Sequence, residues 1–281
     1  MKKTMILGAI AALCLSACGG GSVNEEPSVT EPPAQPVAKP LTISMYGEPL
    51  VMGYASATPV RASAVSKDTA TDSYVTRTVQ SVQNALTADG ITASVAAQVM
   101  DGTTLHQIVT GENKTLPPTN DQFKSDPGDW IVVNFDLDDM WTPASDPAQQ
   151  AALDQFVQDL TVFAQRAALA GKPVFAVMPI RTCETEDSAS VGLAAALTRA
   201  QSNGAPVQLI GQIPQSFTFD SSGKAVSSPD VTHLAPNCAS PDNYLQTERV
   251  QSAADSLAAR YKSSSTAATA GAASGASAAG T

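Results

Sequence analysis

Trp130-Ile131-Val132-Val133-Asn134-Phe135 is a nearly continuous apolar run. A strand that reads this way, without alternation, is buried on both faces, which is the condition inside a parallel sheet covered by helices. Asp146-Pro147 follows as an N-cap and first helical turn. The helix it opens carries Leu153, Phe156, Val157, Leu160 and Phe163 on one face and stops at Gly171. Further strands are expected at Leu41–Tyr46, Thr92–Val99, Pro173–Met178 and Val207–Ile213. Helices are expected over Ser73–Leu86, Val191–Ala200 and about Asn243–Tyr261. Strand and helix alternate throughout, so the fold class is α/β, a three-layer sandwich around a central parallel sheet of about five strands.

The ends of the chain read differently. Met1-Lys2-Lys3-Thr4 and the apolar run Met5–Leu15 have the charged start and short hydrophobic core of a secretory signal. Leu15-Ser16-Ala17-Cys18 resembles the bacterial lipobox. Residues 1–17 are therefore expected as a signal peptide, and Cys18 as the lipidated first residue of the mature protein, anchoring it to a membrane. Residues 18–40 form a flexible tether of Gly, Ser, Glu, Val and Pro. Residues 41–262 form one domain, large enough to bury a core. Residues 263–281, a run of Ser, Ala, Thr and Gly after Lys262, are expected as a disordered low-complexity tail. The location implied is the bacterial cell envelope, lipid-anchored, with Gly19 leaning towards the outer membrane of a Gram-negative host.

The formal charge of −10 becomes −12 when Lys2 and Lys3 leave with the signal. Nucleic acid is not an expected partner of so acidic a chain. Four cysteines sort by compartment: Cys14 goes with the signal and Cys18 takes lipid, which leaves Cys183 and Cys238. In an oxidising envelope that pair is expected to form a disulfide, closing a loop of about 55 residues and worth roughly 4 kcal/mol. Two buried free thiols are the alternative.

Four blocks stand after strands in chain order. They are Tyr46-Gly47-Glu48-Pro49, Asp101-Gly102-Thr103-Thr104, Asn134-Phe135-Asp136-Leu137-Asp138-Asp139 and Asp230-Val231-Thr232-His233. In open α/β sheets, sites form at the carboxyl ends of strands. In order and placement the blocks resemble those of the SGNH/GDSL hydrolases, a superfamily of esterases and lipases with a flavodoxin-like sheet. That resemblance implies a Gly-Asp-Ser turn where this chain has Gly47-Glu48-Pro49, and a Gly-x-Asn-Asp block where it has Asp136-Leu137-Asp138-Asp139. It also implies that His233 is the general base, oriented by Asp230, and that Gly102 and Asp138 hold the oxyanion-hole positions.

Departures from the pattern fall on the chemistry. An acyl-transfer nucleophile needs a hydroxyl or thiol activated by a base, and Pro49 has neither. Loss of a triad nucleophile lowers turnover on the order of a millionfold. Proline also lacks the backbone N–H, an oxyanion donor worth roughly 2.7–4 kcal/mol. Asp138 replaces an amide donor with a group that only accepts. Pro49 itself is expected in the first turn of a helix, where a missing N–H is harmless and Glu48 suits the dipole.

The reading that results is a degenerate, non-catalytic esterase-like domain acting in binding or assembly, with an ester or carbohydrate as ligand, acylated polysaccharide among them. The alternative is an active carbohydrate or lipid esterase using Asp230, His233 and a relocated nucleophile, with Ser44, Ser56, Thr103 and Thr104 as the hydroxyls to consider. His233 capping the last helix is a structural alternative for that residue. His106 reads as a helix-surface residue. The crevice is expected to gather Glu48, Asp136, Asp138, Asp139 and Asp230 with one histidine. Crowded carboxylates raise one another's pKa or recruit a cation; their spacing matches no EF-hand or zinc pattern, so a solvated acidic rim with no metal and no cofactor is expected, with a bound Ca²⁺ or a cationic ligand as the alternative.

Overall fold

The computed structural model describes residues 40–52, 67–112, 116–181, 187–215, 218–221, 225–226, 232–234 and 240–276. Cys18, Cys183, Cys238, Asp230 and Ser56, with the expected signal and most of the tether, lie outside the described residues.

Five strands, β1 (Leu41–Gly47), β2 (Ala93–Val99), β3 (Trp130–Asn134), β4 (Val174–Val177) and β5 (Val207–Ile210), form one sheet in the order β2-β1-β3-β4-β5. Every pairing in it is parallel. This is the flavodoxin-like order, whose strand sequence reverses beside β1 and β3. Helices α1 (Lys67–Ala88) and α5 (Asn243–Ala276) pack together on one face. Helices α2 (Leu105–Thr110), α3 (Pro147–Leu169) and α4 (Ala189–Ser202) cover the other.

The two faces follow from strand period. Side chains of β3 alternate, so Ile131 and Val133 enter the core under α3 and α4 while Val132 enters the core under α1 and α5. The first core centres on Leu160 and Phe163, with Tyr46 and Phe123 in edge contact at 5.9 Å between ring centroids. The second centres on Leu86, Phe175 and Leu257. Both are closed to solvent, which is why the apolar run of β3 has no polar side.

Helix α3 starts as its sequence dictates: Asp146 accepts from the Ala148 N–H at 2.8 Å, and Pro147 takes the first position. The closing helix departs from expectation. It runs past Tyr261 to Ala276, so much of the tail expected to lack structure is helical. Alanine is the strongest helix former, and Ser263, Ser264 and Ser265 turn their hydroxyls back onto the Arg260, Tyr261 and Lys262 carbonyls. Two short strands, β6 (Thr218–Phe219) and β7 (Ala225–Val226), pair antiparallel and had no period to announce them. Among the described residues, no helix is long and apolar enough to cross a membrane.

Candidate active-site crevice

The first block is built by a glycine and an asparagine. Gly47 ends β1 at φ +95°, and a Cβ placed there would lie 2.2 Å from the Asn134 carbonyl oxygen. That carbonyl must come so close because it accepts from the Glu48 N–H at 2.5 Å, while Asn134 Nδ2 donates to the Glu48 carbonyl at 2.8 Å. Asn134 thus clamps the turn that presents Pro49. The sequence offered one signal for it, a lone amide at the end of an apolar strand.

Pro49 does not begin a helix, which corrects the expectation from sequence. Residues 48–52 are an irregular bend, and their backbone groups bond side chains of distant helices instead of a helical ladder. The Leu50 carbonyl accepts from Arg249 Nη2 at 3.0 Å. The Val51 N–H donates to Thr78 Oγ1 at 3.1 Å and the Met52 N–H to Gln246 Oε1 at 2.7 Å. With those partners supplied from α1 and α5, an i→i−4 ladder is not needed to satisfy the buried turn.

Hydroxyls near the turn are engaged elsewhere. Ser44 is 0% exposed and donates to Asp126 Oδ1 at 2.8 Å, deep in the core where the Tyr46 hydroxyl also donates to Asp126. Burial, with that carboxylate beside it, pushes the Tyr46 phenol well above its ordinary value. Thr103 Oγ1 donates to Asp101 Oδ1 at 2.6 Å. Thr104 Oγ1 accepts from the Gln107 N–H as the N-cap of α2, in a capping box.

Glu48, Gly102, Asp136, Asp138 and Trp141 line one cavity of about 310 Å³ at the carboxyl ends of β1, β2 and β3. Of the carboxylates expected in one crevice, Glu48, Asp136 and Asp138 line this cavity, and Asp230 lies outside the described residues. A second cavity of about 570 Å³ runs between α2 and α3 and shares Thr104, Asp136, Leu137 and Asp138 with the first. Asp139 lines this second cavity, together with Glu112, His106 and Asp159.

The carboxylates differ electrostatically. Burial pushes Asp136 above its ordinary value, opposed by the charge of Arg249, and burial in turn lowers Arg249. Asp139 is held low by the Thr142 hydroxyl and the Trp141 and Thr142 N–H groups. Asp101 is likewise held low, first by the Thr103 hydroxyl. Asp138 is exposed in the crevice.

His233 lines neither cavity. Its Nδ1 is 2.8 Å from Asp242 Oδ2, and its ring stacks on Tyr244 with centroids 4.3 Å apart. Asp242 also accepts from the Leu245 N–H at 3.1 Å, so one carboxylate caps α5 and orients the imidazole. Burial opposes its charge, but hydrogen bonds from His233 and the Leu245 N–H outweigh it and hold Asp242 low. A carboxylate on Nδ1 places the proton there and leaves Nε2 as the acceptor of the neutral ring. Asp242 was legible as the N-cap before a helical run, but not as a partner of His233. The histidine of the crevice is His106, whose Nδ1 lies 3.0 Å from Asp159 Oδ2. Gln155 Nε2 donates to the other oxygen of that carboxylate at 3.1 Å. Among the described residues, no three histidine, cysteine or carboxylate side chains converge as metal ligands.

No family profile matches the chain, and no curated protein matches it in sequence. In fold the chain is similar to solved esterase structures. A chain from Slackia heliotrinireducens assigned as an SGNH hydrolase is 12% identical with a TM-score of 0.48, over 78% of this chain and 100% of that one. Axe2, an acetylxylan esterase from Geobacillus stearothermophilus, is 12% identical with a TM-score of 0.44, over 78% and 93%. The psychrotrophic esterase EstA from a Pseudoalteromonas species is 10% identical with a TM-score of 0.42, over 77% and 98%. The strand order and the helices on both faces make the fold of the described residues an α/β three-layer sandwich of flavodoxin-like order. The likeness is one of overall shape, and no residue takes its role from it.

Proposed function

We propose that the chain is a cell-envelope lipoprotein, anchored through Cys18, whose SGNH-hydrolase-like domain binds its ligand without hydrolysing it. The observation that carries this is Pro49, buried at the end of β1 between Glu48 and Leu50, where a nucleophile would be needed. The hydroxyls of Ser44, Thr103 and Thr104 are committed to Asp126, Asp101 and the cap of α2. Asp138 adds a second defect, since an anion facing a developing oxyanion raises the barrier instead of lowering it. The ligand class that suits the reading is an ester or carbohydrate of the envelope, acylated polysaccharide among them, with the domain serving in binding or assembly.

A second reading is favoured by one feature. The ring of His233 is oriented by Asp242, an arrangement that suits a general base. On that reading the domain is an active carbohydrate or lipid esterase with a relocated nucleophile. Hydrolysis of a short-chain nitrophenyl ester by the full chain in detergent separates the two. Binding without chemistry predicts release at the rate of buffer. Turnover that disappears in His233→Ala would overturn it.

A further inference from the structure

Asp159 is a carboxylate on the buried side of α3, 6% exposed, where Phe156, Leu160 and Phe163 are core residues. Among the described residues two side chains hold it: His106 Nδ1 lies 3.0 Å from Oδ2, and Gln155 Nε2 donates to Oδ1 at 3.1 Å. A buried charge is costly unless it is paired and hydrogen-bonded. What this one accomplishes is to fix the imidazole of His106, whose side chain is 51% exposed and lines the cavity of about 570 Å³ between α2 and α3. A carboxylate on Nδ1 places the proton there and makes Nε2 an acceptor. That nitrogen has no hydrogen-bond partner among the described residues.

A second acceptor lines the same cavity. Gln149, 3% exposed, donates from Nε2 to the Asp139 carbonyl at 2.8 Å, and that bond fixes the plane of its amide. No donor among the described residues reaches its Oε1. A buried amide oxygen without a donor is unfavourable unless something supplies one. The wall also carries a donor, because Gln107 Oε1 is taken by the Thr104 N–H at 3.0 Å, which leaves Gln107 Nε2 to donate. Along α3 the lining residues Gln149, Ala152, Phe156 and Asp159 recur at three- and four-residue spacing, one stripe of the helix. The rise from Gln149 to Asp159 makes the trough about 15 Å long, longer than a single sugar ring.

We propose that this trough binds a neutral sugar oligomer, with ring hydroxyls donating to His106 Nε2 and Gln149 Oε1 and accepting from Gln107 Nε2. This rests on the reading of the domain as a binding module and names where the ligand lies and which groups read it. A hydroxyl both donates and accepts, so it suits a wall of neutral acceptors and donors. Anionic oligomers are disfavoured by Glu112, Asp139 and Asp159 on the same wall. The hydroxyl chemistry has two sources, a plain hexose oligomer and an N-acetylated one.

The chain has two histidines, His106 and His233, so the imidazole nitrogen resonances of the full chain in detergent report on the trough without any substitution. The probes are cellopentaose, the N-acetylglucosamine pentamer and the glucosamine pentamer. The expected result is that a neutral pentamer moves the Nε2 resonance of His106 and leaves that of His233 in place, and which pentamer does so identifies the source. In calorimetric titration its binding should weaken about three- to tenfold in His106→Ala and in Gln149→Met, with the fold checked by circular dichroism. Gln149 is buried, and if that variant does not fold the resonance titration of the unsubstituted chain decides. A shift confined to His233 overturns the assignment to the trough while leaving a binding domain in place. No shift with either neutral pentamer, or tighter binding of the glucosamine pentamer, overturns the proposal. Ester turnover in the nitrophenyl assay separately overturns the non-catalytic reading.

Discussion

Gly47→Ala should be among the most damaging single-atom changes at the crevice. Two terms act. Left-handed backbone geometry in an L-residue costs about 1–2 kcal/mol. The new methyl must also displace the Asn134 carbonyl, whose oxygen and carbon would lie 2.2 and 2.7 Å from it. That carbonyl is held by the Glu48 N–H and belongs to a strand paired on both sides, so it has no free direction to move. Forced overpacking of this kind costs about 1–3 kcal/mol, for a total of roughly 2–5 kcal/mol. Gly90→Ala is the internal control, because Gly90 has φ +78° but nothing among the described residues within 4 Å of where its new methyl would lie. It should lose only the conformational term, about 1–2 kcal/mol. Urea unfolding of the two full-chain variants, followed by circular dichroism and extrapolated linearly, gives the difference. If the two lie within about 0.5 kcal/mol of each other, the scale of an ordinary surface change, the clamp between Gly47 and Asn134 is not rigid and the account of the turn fails.

Arg249→Met removes both the donor to the Leu50 carbonyl and the charge that offsets Asp136. Losing the charged hydrogen bond to a buried carbonyl should destabilise the full chain by about 1.5–3 kcal/mol in the same unfolding experiment, and a loss below about 1 kcal/mol would show that the arginine is not a tie. Asp242 and Asp136 should act oppositely on acid stability. Asp242 is depressed below 3.8 in the fold, so its contribution is complete above that pH and is lost as pH falls through the folded value. Asp242→Asn should therefore lower stability at neutral pH and flatten the acid limb. Asp136 is raised above 3.8, so its ionisation weighs against the fold as pH rises through the folded value. Asp136→Asn should remove that decline, and unfolding midpoints taken between pH 3 and pH 7 would expose a reversed sign for either residue.

The layout of the sheet was legible in the residues because it rests on local signals. The run Trp130–Asn134 has no polar face, so it had to lie between two helical layers, and Asp146-Pro147 marks a helix start by cap and first turn alone. Gly102 and Asp138 could be placed at one crevice because both follow strands of a parallel sheet. What sequence could not settle depends on contacts far along the chain. The bend at Pro49 is held by Thr78, Gln246 and Arg249, up to 199 residues away, so a local rule for proline pointed wrongly to a helix. The pairing of His233 with Asp242, and of His106 with Asp159 across two helices, likewise arises only when separate elements dock. Period and capping act within a few residues and are written in composition. The partners of a buried polar group are fixed by which elements pack together, and that is decided by the tertiary structure.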